Sequence, residues 1–215
     1  MEKTASLRVL QVLNILAFAG TVAVNGLASA LPINGMGTGE LSDLYPNLFV
    51  PSGLTFSIWG VIYLLLLAFA IFQATKRGSD AAKKIGLLFI YSSAANIGWI
   101  FAWHYMQVGL SLLIMLVLLG ALIRIYLRLG IGLPAPRRPL KASRGVTWCV
   151  YVPFSVYLGW ITVATIANVT AFLVNAGWAG FGAPESFWAV FVIAAALVIT
   201  ILILITRRDT AYALV

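Results

Sequence analysis

The side chains with chemistry to offer in this sequence are amides and indoles, and they recur at helical spacing. Asn96, Trp99 and Trp103 stand at i, i+3 and i+7, and Tyr157, Trp160, Ala164 and Asn168 at i, i+3, i+7 and i+11. Each set makes one stripe along a helix. Both stripes lie in apolar runs, where an unpaired amide is costly, so both are expected to face a protein interior rather than lipid. Two readings stay open. In one, the amides hydrogen-bond across helix interfaces and the rings pack. In the other, Trp and Tyr faces wall a pocket and Asn orients what enters it.

What is missing narrows the chemistry further. No Asp, Glu, Lys or Arg stands in the middle of an apolar run, so the titratable relay of a proton-coupled pump is lacking. The acid–base and nucleophile–base pairs of an enzyme are lacking as well, and no catalytic residue is expected. His104 is the sole histidine and Cys149 the sole cysteine, which removes a Cys/His metal site and an internal disulfide. Cys149 reads as packing. Trp103, His104 and Tyr105 close their apolar run and read as an interfacial aromatic belt.

Long hydrophobic helices must position these stripes. The chain has 215 residues, 62% hydrophobic and 9% charged, against about 25% charged in soluble domains. Lipid is therefore its main solvent, and the fold class is all-α, a polytopic transmembrane bundle forming a single membrane domain over 1–215. The net charge of +8 sits in short clusters between apolar runs, a pattern for anionic headgroups and not for nucleic acid. Runs of about 20 residues predict six spans near 9–30, 54–75, 85–105, 108–127, 146–173 and 186–206. Their continuity excludes a barrel of alternating strands.

The loops predict orientation. Six spans place Lys3, Arg8, Lys76, Arg77, Lys83, Lys84, Arg124, Arg128, Arg137, Arg138, Lys141, Arg144, Arg207 and Arg208 on one side. The opposite loops carry Glu40, Asp43 and Glu185. Positive charge stays inside, so both termini are expected in the cytoplasm, in a bacterial or archaeal cytoplasmic membrane. Ala28-Ser29-Ala30 has the look of a cleavage site, but the preceding run is longer than a signal core, and a retained first span is expected. The loop near 31–53 is rich in Gly and Pro; its Leu44, Tyr45, Leu48 and Phe49 predict that it folds back over the bundle. No internal repeat is visible, which argues against an inverted-repeat transporter.

Three stretches carry a family resemblance. Pro51-Ser52-Gly53-Leu54-Thr55-Phe56 followed by Trp59 and Tyr63, the run from Tyr91 to Asn96 and Trp99, and Tyr157 through Asn168 resemble, in order, motifs of the TspO/translocator protein family, the tryptophan-rich sensory proteins. The resemblance covers about 45–175. Val156 stands where the family has Pro, and Val163 and Ala167 replace Phe and Leu. Family members are usually five-helix proteins, so a sixth span is an addition.

The resemblance implies a pocket among the helices, open toward the first loop, for porphyrins such as protoporphyrin IX and, in animals, cholesterol. Carried over by position, Trp59, Asn96, Trp99, Trp160, Ala164 and Asn168 would line or support it, with Tyr45 contributing from the loop; Tyr157 joins them from its stripe. No cofactor is required; a tetrapyrrole would be the ligand, membrane lipid the surroundings and a homodimer the assembly. Leu122 to Arg128, around Tyr126, fits a loose sterol-contact pattern common at span ends. The reading is a receptor or carrier for a hydrophobic planar ligand. A small-molecule transporter or permease subunit, a structural or regulatory membrane partner and a tetrapyrrole-degrading activity are the alternatives.

Overall fold

A computed structural model describes residues 2–31, 33–141 and 143–215. Among them the regular structure is helical, with no strand. The long elements are α1 (Glu2–Ala30), α3 (Ile58–Gln73), α5 (Leu88–His104), α6 (Val108–Leu129), α7 (Arg144–Asn175) and α8 (Glu185–Arg207). Short helices α2 (Thr38–Asp43), α4 (Ser79–Ile85) and α9 (Thr210–Ala213) lie between or after them.

Among the described residues five helices are long and apolar enough to cross a membrane: Ser6–Ala30, Gly53–Gln73, Val108–Leu129, Arg144–Asn175 and Glu185–Arg207. Lipid is the medium in which such helices hide their apolar surface, and the chain is a multi-pass membrane protein. The third expected span differs from its prediction. It begins at Leu88 rather than near 85, because Gly86 takes a φ of +60° and separates α4 from α5 at a 67° bend. A Cβ there would be strained, so glycine decides the break. The pair α4 and α5 together is a sixth candidate crossing.

Within α7, Pro153 cannot donate a backbone hydrogen bond, and its ring crowds the carbonyl four residues earlier. One π turn over Thr147–Tyr151 absorbs that mismatch just before it, and the helix continues.

Packing closes a ring of five helices. α5 lies against α1 and α6, α6 against α7, and α3 closes the ring between α7 and α1. Aromatic residues fill the half of the ring that lies away from the loop between α1 and α3, its inner half. Phe69, Phe89 and Phe154 meet edge to face at 4.9 to 6.1 Å and are almost wholly enclosed.

The sixth long helix stands outside this ring. No residue of α8 is buried. Its inner end is held by a C-terminal hook: Arg208 adopts a left-handed conformation, and α9 turns back onto α7. The Asp209 carboxylate accepts from the Tyr126 hydroxyl at 2.8 Å, the Ser155 hydroxyl at 2.6 Å and the Tyr212 N–H at 3.2 Å. Gly159 permits the approach, since a Cβ there would come 2.8 Å from the Tyr212 carbonyl.

The basic segments meet at one end of the bundle. Arg128 donates to the Ile85 carbonyl and Arg207 to the Ile131 carbonyl. At the other end the loop between α1 and α3 lies over the ring, as its apolar residues predict, but of Leu44, Tyr45, Leu48 and Phe49 only Tyr45 is buried. Leu41, Ser42 and Tyr45 are buried, whereas Leu44 and Leu48 are exposed. The alternation follows α2, whose first turn is closed by Glu40 accepting from the Gly37 N–H at 2.7 Å.

A tryptophan box beneath the first long loop

Three ring helices and the loop bring four indoles together. Trp59 stands in the first turn of α3, Trp99 and Trp103 on successive turns of α5, and Trp160 midway along α7. Trp59 lies 6.3 Å from Trp99 and 6.1 Å from Trp160, the latter pair edge to face. Trp99 and Trp103 stack at 5.9 Å with their planes 15° apart. Tyr63 stacks on Trp59, Tyr157 meets it edge-on, Phe56 meets Trp160 edge-on, and Tyr45 tilts against Trp103.

The rings enclose a hollow of about 30 Å³ bounded by Trp59, Trp99, Trp103, Trp160, Ala164 and Asn168, with Ser42, Pro51 and Phe56 above. That is room for water and well below the ~300 Å³ at which small-molecule pockets begin.

Polar satisfaction inside the box is uneven. Trp99 Nε1 donates to Asn168 Oδ1 at 3.4 Å, and the Asn168 amide donates to the Ser111 hydroxyl at 3.1 Å. Trp103 Nε1 donates to the Thr38 carbonyl at 3.2 Å. Trp160 Nε1 is buried and has no partner. A buried donor without an acceptor costs about 1–3 kcal/mol. Trp160, which borders the hollow, therefore carries a buried and unsatisfied N–H.

Asn96 does other work. It is fully enclosed, accepts from the Asn25 amide at 2.7 Å and donates to the Tyr157 hydroxyl at 3.1 Å, tying α1, α5 and α7 together. The two expected roles thus divide between the stripes' amides. Asn96 is an interhelical lock and does not border the hollow, whereas Asn168 borders it while bonding Trp99 and Ser111. Tyr157 supports Trp59 and bonds Asn96, and Tyr45 rests on Trp103; neither borders the hollow. Burial raises the Tyr45 hydroxyl above its usual range, so it stays neutral at ordinary pH.

Two sequence expectations are corrected by these contacts. Trp103 and His104 are not belt residues: both are buried, and of the three only Tyr105 is exposed. His104 latches the loop. Its Nδ1 lies 3.0 Å from the Ile33 carbonyl, which requires a proton on that nitrogen, and Nε2 lies 3.1 Å from the Thr38 hydroxyl. Asn34 completes the latch by donating to the His104 carbonyl at 3.0 Å. The sterol-contact expectation also changes, because Tyr126 is buried against Asp209 rather than offered to lipid.

Asn25 is the functional neighbour that sequence reasoning passed over. Its signal was present: Asn14, Thr21 and Asn25 stand at i, i+7 and i+11 and make a polar stripe on α1. Among the described residues no group of three or more His, Cys, Asp or Glu could hold a metal ion.

Comparison with curated proteins and with solved structures gave no significant match. A family profile described as "TSPO-like protein" matches residues 11–215. The match extends past the 45–175 stretch that carries the motifs and takes in α8. With a match over nearly the whole length and an aromatic box at the motif positions, the chain belongs to the TSPO-like protein family.

Proposed function

We propose that this protein is a membrane receptor or carrier for a hydrophobic planar ligand, a tetrapyrrole such as protoporphyrin IX, bound in the tryptophan box. The observation that carries the reading is an indole-lined hollow, one of whose lining residues, Trp160, has a buried N–H with no partner. Flat aromatic faces suit a flat conjugated ligand, and a ring nitrogen or carboxylate would supply the missing acceptor.

The hollow is too small for such a ligand as it stands, so binding requires the loop between α1 and α3 to lift. The latch of Ile33, Asn34 and Thr38 on His104 and Trp103 is the element that must release. In this reading the phenylalanine plug closes the inner half of the ring, which favours a receptor or a carrier loaded from one side over a continuous passage.

The orientation belongs to the same proposal. Counting α4 and α5 as one crossing gives six, with both termini in the cytoplasm and the box opening outward, in a cytoplasmic membrane. The clustering of basic segments at the α4, α6 and α8 inner ends supports it. A homodimer and surrounding lipid complete the assembly we envisage.

The test is a fluorescence titration of the purified protein with protoporphyrin IX. Indole emission is expected to be quenched to saturation, and Trp160→Ala to weaken binding about tenfold, equivalent to ~1.4 kcal/mol. Equal affinity in the two proteins would remove Trp160 from the site.

A further inference from the structure

A second cavity lies outside the ring. It measures about 520 Å³ and sits between the last turns of α7 and the first turns of α8. Val169 and Leu173 form one wall and Ala189 and Val192 the other, roofed by the backbone around Leu48. The volume falls in the ~300–1,000 Å³ range of small-molecule sites. It shares no lining residue with the tryptophan box.

Its charge and its rings point one way. Glu185 is the one charged residue among those lining the cavity. Its Oε1 accepts from the Leu48 N–H at 2.8 Å, and a carboxylate has further lone pairs to offer. Among the described residues the one ion pair is Lys83–Asp80, so no described Lys or Arg pairs with Glu185. Beside it Trp178 and Trp188 meet at 4.7 Å, and Trp188 is fixed by donating to the Gly180 carbonyl at 3.0 Å. Indole faces attract cations, and more strongly when water is excluded.

Helix geometry alone would favour a carboxylate at the start of α8. It explains neither the two indoles nor the space beside them. α8 buries none of its residues and is tied at its ends by Glu185 and by the Asp209 hook, so its middle is only loosely packed against the ring.

We propose that this cavity binds a slender hydrophobic ammonium ion from the membrane. Its alkyl chain lies between α7 and α8, and its cationic head sits against Glu185, Trp178 and Trp188. No Lys or Arg lines the cavity to meet a phosphate, so a phosphate-bearing headgroup is disfavoured.

A bromoundecyl trimethylammonium ion and the uncharged bromoundecanol, both quenchers of nearby indoles, test this on the full chain in a neutral maltoside detergent. The ammonium is expected to bind about tenfold more tightly than the alcohol. Glu185→Gln keeps an acceptor for Leu48 and is expected to abolish that preference. Ala189→Trp fills the space and is expected to weaken both probes, with an unchanged melting temperature showing that it folds. Equal binding of the two probes to the original protein, or a preference that survives Glu185→Gln, would overturn the assignment. Trp160→Ala should leave the ammonium titration unaltered while it weakens porphyrin binding, so the two sites stand or fall separately.

Discussion

The five-helix ring contains two aromatic layers that differ in kind. In the inner half Phe69, Phe89 and Phe154 pack edge to face with no polar atom to satisfy. In the outer half Trp59, Trp99, Trp103 and Trp160 leave a hollow between them, and the buried Trp160 N–H has no partner. The same helices α3, α5 and α7 supply both layers, so the contrast comes from side chains and not from backbone spacing. Phenylalanine fills space and holds the ring closed. Tryptophan adds an N–H that must be paired, and where the fold leaves it unpaired the layer keeps a capacity to bind.

The sharpest break of that comparison is Phe154→Ala. It removes the centre of the filled layer and is expected to lower unfolding stability in detergent by about 3–5 kcal/mol. A loss below ~1 kcal/mol would mean that the inner layer is as loosely filled as the outer.

Next in size is Asn96→Leu, which leaves the Asn25 amide with the Thr21 carbonyl alone and strips the Tyr157 hydroxyl of its partner, for an expected loss of about 1–2 kcal/mol in the same assay. Its effect on porphyrin affinity should be small, because Asn96 does not border the hollow. Trp160→Phe is expected to cost less than about 1 kcal/mol, since the N–H it removes bonds to nothing. It should nonetheless weaken protoporphyrin IX binding, so that stability and affinity separate at this one position. The smallest effect belongs to Thr38→Val, which removes one latch contact to His104. Stopped-flow quenching should show association accelerated roughly twofold, from about 0.5 kcal/mol less holding the loop.

The helices and the stripes were legible in the sequence because burial in lipid enforces periodicity. Trp99, Trp160, Ala164 and Asn168 come together on the hollow as their spacing requires. The division of labour was not legible, because a spacing fixes a face and not a partner. Asn96 and Asn168 have the same residue type in similar stripes, yet only coordinates reveal that Asn25 reaches one and Ser111 the other. The latch was hidden for a related reason. Trp103 and His104 end a span, where exposure is the usual expectation, and their burial depends on a loop some 70 residues away in sequence folding over them. The outlying position of α8 had no signal in its apolar run, which lacks a polar stripe to mark an interior face.

The most direct measurement is fluorine NMR of the protein labelled with fluorotryptophan, each of its seven Trp residues assigned by single Trp→Phe replacement, during a protoporphyrin IX titration. The Trp160 resonance is expected to move with those of Trp59, Trp99 and Trp103, while Trp148, which is exposed on the opposite half of α7, stays in place. A titration that shifts Trp178 and Trp188 and leaves Trp160 still would place the ligand outside the ring and contradict the account.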